Sequence, residues 1–127
     1  MPFTLNLWVA WVGILLGVLV GVVMGTFFHR DDWLGGYSSW PRRLLRLGHI
    51  SFFGIAFLNI AFALSAPVGV ASRPLACGGI ALALAELLMP GVCFLSAWRK
   101  PLRGLFFLPV ACILAGIIGL LIGRIAL

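Results

Sequence analysis

Glu86 is the side chain in this sequence best placed to do chemistry. It stands alone in a long apolar run, eleven positions after Leu75 and twelve before Trp98, so a membrane span built from that run puts it near mid-depth. A charged carboxylate there costs several kcal/mol, so the group must be either paired or protonated. Pro90 follows four residues later and has no N–H, which leaves the Glu86 carbonyl without its helical donor and favours a kink. A polar side chain and a freed carbonyl at one level could hold a proton, a cation or a water. The alternative is a neutral glutamate hydrogen-bonded to a neighbouring helix. Asn59 is the expected partner: at ~1.5 Å per residue it lies ~10 Å from the outer face and Glu86 ~16 Å, a gap that side chains can bridge. An asparagine in a membrane helix is itself ordinary interhelical glue.

His29 and His49 are the other candidates. On separate helices, with Gly25 and Gly48 nearby, they could ligate a haem b, or one of them could bind a quinone oxygen. The simpler reading makes His29 an interfacial residue beside Arg30, Asp31 and Asp32, and His49 a polar contact near the headgroups. Cys77, Cys93 and Cys112 form no CxxC pair and lie in apolar runs, where thiols behave as small hydrophobes. No metal-ligand cluster accompanies them. The adjacent Asp31 and Asp32 read as a solvated turn. Ser-His-Asp order, paired catalytic carboxylates, HExxH, a phosphate loop and a dinucleotide fingerprint are all missing, which points away from an enzyme.

These residues need elements to position them, and composition decides what kind. Of 127 residues, 63% are hydrophobic and 9% charged, against roughly a quarter charged in soluble domains. Twelve charged side chains cannot coat a soluble domain of this size. That excludes a soluble enzyme, a nucleic-acid reader and a disordered linker, and makes the bilayer the solvent. Apolar runs of about 20 residues predict four transmembrane helices, at about 5–28, 44–66, 75–98 and 104–125. The expected fold is all-α: one domain over 1–127, an up-down bundle with short loops. The first run has no Lys or Arg before Arg30 and is long enough to span, so it reads as a retained helix rather than a signal peptide.

The formal charge is +6, and its distribution reads as topology. Arg30, Arg42, Arg43, Arg46, Arg99, Lys100 and Arg103 flank the first and third connections, whereas only Arg73 and Arg124 flank the opposite side. Short-loop cations mark the cytoplasmic side, so loops 29–43 and 99–103 are expected in the cytoplasm. Both termini are then periplasmic, across a bacterial inner (plasma) membrane. Trp8 and Trp11 near one boundary, and Trp33, Trp40 and Trp98 near the other, fit interfacial belts. In the first connection, Gly35 and Gly36 permit a tight turn. Trp33 and Trp40, with Arg42, Arg43 and Arg46 at helical spacing, are expected to meet lipid headgroups or a partner subunit.

Small residues recur every fourth position in two spans: Gly13, Gly17, Gly21 and Gly25 in the first, Ala111, Ala115, Gly119 and Gly123 in the fourth. Membrane helices associate by close backbone approach, so such glycine/alanine zippers predict tight packing, within the chain or between subunits. Pro109 predicts a second kink by freeing the Leu105 carbonyl. Three functions then compete. The leading one is a non-catalytic accessory or scaffold subunit of a larger membrane complex, whose partners are the bilayer, other membrane subunits or a second copy, and no nucleic acid. The second is an oligomeric proton- or cation-coupled transporter using Glu86. Small multidrug transporters are similar in size, in having four spans and in a lone membrane glutamate. Their motifs are absent here, and the one-sided charge disfavours their dual-topology dimer. The third is a haem b or quinone redox subunit using His49 and His29.

Overall fold

Ser39 and Ser72 each stand two positions before a proline, and each begins a helix. Their hydroxyls accept from the Arg42 and Leu75 N–H groups, both at 3.4 Å. Pro41 and Pro74 fall in the first turn, where a missing N–H costs nothing. The computed structural model of the chain describes residues 3–67 and 72–125. Among them are four long helices and no strand: α1 (Thr4–Gly25), α2 (Trp40–Ser65), α3 (Arg73–Trp98) and α4 (Phe107–Ile125). Short 3-10 helices occupy Trp33–Gly35 and Lys100–Phe106. The connection expected at 67–74 lies partly outside the described residues.

Each of the four is long and apolar enough to cross a membrane, the fourth counted from Lys100 to Ile125. The boundaries differ from the hydropathy reading for local reasons. α2 starts four residues before the apolar run, because its cap and first turn (Ser39, Trp40, Pro41, Arg42) are polar or interfacial. α1 yields at Gly25 to turns, with Phe27, Phe28 and Arg30 N–H groups bonding three residues back. Before α4 the chain winds as a 3-10 helix up to Phe106. Pro109 cannot donate to Leu105, so the irregularity expected there takes the form of a change in helix type. α3, by contrast, continues as one helix through the buried Pro90.

α3 is the hub. It touches α1, α2 and α4, whereas α4 meets α2 only marginally and does not meet α1 among the described residues. The arrangement is a triangle of α1, α2 and α3 with α4 laid against the far side of α3. Missing side chains set these approaches. A Cβ built on Gly17 would come within 2.8 Å of the Phe53 ring, and one on Gly21 within 2.6 Å of His49 Nε2. Between α3 and α4 the contact is backbone on backbone: a Cβ on Gly119 would stand 2.5 Å from the Pro74 carbonyl oxygen and 3.1 Å from Gly78 Cα. Leu82 seats on Gly116, and Leu75 fills the space over Gly123.

The small-residue periodicity is therefore used selectively. Gly25 has open space around it. In α4 the buried face is Pro109, Gly116, Gly119 and Gly123, while Ala111 and Ala115 are exposed. The helical period from Gly123 back through Gly119 continues to Gly116, not to Ala115, because steps of three and four alternate along one face.

The helix ends are tied by specific contacts. Phe3 packs edge-on against Phe62 at 5.1 Å, and Arg124 donates to the Ser65 carbonyl at 2.6 Å. At the other end the Trp40 indole N–H donates to the Ser96 carbonyl at 2.8 Å.

Candidate functional site

Asn6, Ala10, Gly13 and Gly17 share one face of α1 and are all buried. Asn59 lies on the face of α2 turned to them, and Glu86 on the corresponding face of α3. The structure brings the three polar residues together. The Asn6 amide donates both its hydrogens, to Asn59 Oδ1 at 2.7 Å and to the Gly79 carbonyl at 2.8 Å. The Asn59 amide in turn faces three acceptors: the Ile55 and Leu82 carbonyls, both at 3.1 Å, and Glu86 Oε2 at 3.5 Å. An amide has two hydrogens, so the two carbonyls take them best and Glu86 receives the weakest share.

Asn59 and Glu86 are both fully buried, and Asn6 nearly so. Glu86 Oε1 has no hydrogen-bond partner. It lies against Gly13, where an added Cβ would overlap it. Gly13 is thus the floor on which the carboxyl rests. Among the described residues no cation approaches Glu86, so the charged, ion-paired alternative is not built. An amide and the bare α1 backbone surround it instead. The site ties together three helices through the amide groups of Asn6 and Asn59.

Sequence analysis singled out Glu86 and Asn59 and passed over Asn6. The signal was there: stepping back from Gly17 and Gly13 by helical spacing leads through Ala10 to Asn6, the polar end of the same face.

No protein-family model, curated protein or solved structure matches the chain.

The histidines are not brought together as a ligand pair. His29 is exposed in the turns after α1. His49 is half-buried, with Nε2 on Gly21 and its ring edge-on to Phe53 at 5.5 Å. Because α1 and α2 are in direct contact at Gly17 and Gly21, no slot for a porphyrin opens between them at that level. The pair does not fit a bis-histidine haem site. The three cysteines are unpaired: Cys93 is buried, Cys112 half-buried and Cys77 exposed. Among the described residues no group of His, Cys, Asp or Glu is arranged to hold a metal ion.

The first connection is turned inward more than its composition suggested. Arg42 is 3% exposed. Its guanidinium donates to the Phe28, Arg30 and Asp31 carbonyls at 3.3–3.4 Å, covering the end of α1. It also lies over the Phe28, Trp33 and Tyr37 rings, 5.2–5.7 Å from their centroids. Cations favour helix C-termini and aromatic faces, so this arginine is consumed by the protein rather than offered to headgroups. Trp33 stacks on Phe27 at 5.5 Å, and Trp40 is spent on Ser96. Arg46 sits over Tyr37, 3.9 Å from the ring, and donates to its carbonyl. Arg43 alone of the three arginines is exposed, with a side chain free of hydrogen-bond or ion-pair partners among the described residues.

Proposed function

We propose that the chain is a small integral membrane protein acting as a non-catalytic scaffold or accessory subunit of a larger membrane complex. The observation that carries this reading is the closure of Asn6, Asn59 and Glu86 on one another and on backbone carbonyls. The Asn6 and Asn59 amides are spent on holding helices together. In this reading the chain is an up-down bundle. The periodic glycines act as an internal zipper for α1 against α2 and for α4 against α3. Outer faces rich in leucine, isoleucine and valine are left to lipid and neighbouring subunits. The seven-to-two cation split supports loops 29–43 and 99–103 in the cytoplasm and both ends of the chain on the periplasmic side of a bacterial inner membrane.

A second reading, proton- or cation-coupled transport, draws on one specific observation: buried Glu86 Oε1 has no partner. One experiment separates the two. The chain is isolated from native membranes with its neighbours, and Glu86→Gln is compared with the parent. A scaffold keeps the same copurifying proteins and an unchanged melting temperature, with no pH-driven flux to lose in proteoliposomes. Loss of such a flux in the folded variant would replace the scaffold reading with transport.

A further inference from the structure

We propose that the groove between α2 and the 3-10 helix that precedes α4 holds one acyl chain of an anionic phospholipid, with its phosphate on Arg43 and Arg103. The groove exists because α4 packs on α3 and barely reaches α2. It has a volume of about 510 Å³ and is walled by Leu47, Ile50, Gly54 and Phe57 of α2, Met89 of α3 and Phe106. Nothing lies within 4 Å of a Cβ built on Gly54, so the floor is open. The one hydroxyl in the wall, on Ser51, is spent on the Gly48 carbonyl at 2.8 Å. The wall is chemically apolar.

Length selects the occupant. From Leu47 to Phe57 the wall runs ~15 Å at ~1.5 Å per residue, half the ~30 Å hydrocarbon thickness. That is one leaflet, the reach of an acyl chain. A transmembrane helix would need a partner surface across both. Charge selects the headgroup. Arg43 lies one helical turn beyond Leu47 on the same face of α2. Lys100, Arg103 and Phe106 recur at every third residue of a 3-10 helix, where such side chains eclipse, so Arg103 stands directly beyond Phe106 at the rim. Arg43 and Arg103 are exposed, and their guanidinium groups have no hydrogen-bond or ion-pair partner among the described residues. A second copy would bring the same positive charges to the mouth, whereas a phosphate neutralises them.

The proposal needs membrane insertion but not the scaffold reading, and its test uses the purified chain without partners. Native mass spectrometry would compare retention of phosphatidylglycerol and phosphatidylcholine with matched chains. The expected result is one retained phosphatidylglycerol and little phosphatidylcholine. Arg43→Gln with Arg103→Gln should weaken phosphatidylglycerol roughly 30-fold, from about fivefold per basic side chain at an anionic surface. Gly54→Phe, which fills the groove without entering the core, should remove the bound lipid at an unchanged melting temperature. Equal retention of the two lipids would overturn the site, as would retention insensitive to the arginine pair or to Gly54→Phe. A dimer that Gly54→Phe converts to monomer would assign the groove to a second copy instead.

Discussion

Gly13 and Glu86 share one volume, and neither has room for the other to grow. Overpacking a filled site costs about 1–3 kcal/mol, and alanine returns up to about 1 kcal/mol of helix propensity. Gly13→Ala should therefore destabilise the detergent-solubilised protein by about 1–2 kcal/mol. In a Glu86→Ala background the same change should be neutral or stabilising, a coupling of about 1 kcal/mol or more by a double-mutant cycle. Thermal unfolding of the four proteins checks this, and additive effects would show that the carboxyl does not rest on Gly13. Glu86 was visible in the sequence as the one acid in an apolar run, and Asn59 as the polar residue nearest its depth. Asn6 was hidden by its position near a chain end, where polarity carries no surprise. The weakness of the Asn59–Glu86 bond was equally hidden, since it depends on two backbone carbonyls that compete for the same amide.

At the scale of elements, the sequence marked helices well and their faces less well. Runs of apolar residues define spans by length, but the face a helix buries depends on which neighbour it meets. In α4 the pattern Ala111, Ala115, Gly119, Gly123 drifts around the helix, since a strict four-residue step overruns the 3.6-residue turn. The structure follows the turn and buries Gly116 in place of Ala115. Gly119 is the critical position, because its neighbour is the Pro74 carbonyl, and backbone cannot rotate out of the way. Gly119→Ala should force α3 and α4 apart and cost about 1–3 kcal/mol. Ala115→Leu, on the exposed face, should stay within about 0.5 kcal/mol of the parent. Melting temperatures of the two variants in one detergent test the assignment, and the reverse order would refute it. The first connection teaches the same lesson. Aromatics and arginines near a membrane boundary suggest headgroup contact, yet the Arg42 guanidinium is spent on the carbonyls at the end of α1.

For the whole molecule, the distribution of charge and the contacts at the helix ends make one claim together. Arg124 meets Ser65 and Asn6 meets Gly79 at one end, while Trp40 meets Ser96 and Arg42 meets Phe28 at the other. The cation-rich connections sit at the second end. With the three native cysteines changed to alanine, single cysteines at Ser38 and at Leu127 should label from opposite membrane faces. An impermeant maleimide applied to intact cells should reach Leu127→Cys and spare Ser38→Cys. Labelling of both from one side would overturn the proposed orientation.

Helix count follows from composition and run length alone, because a span in hydrocarbon must bond its own backbone internally, and apolar runs of about 20 residues do so as helices. Tertiary packing settled the rest. It chose which glycines serve as contacts, drew Asn6 into the buried cluster, and turned Arg42 inward. It also left α4 on the outer side of α3, with a gap beside α2. Such choices turn on differences of a methyl group or a single carbonyl between helices far apart in the chain. A one-dimensional pattern does not carry that information.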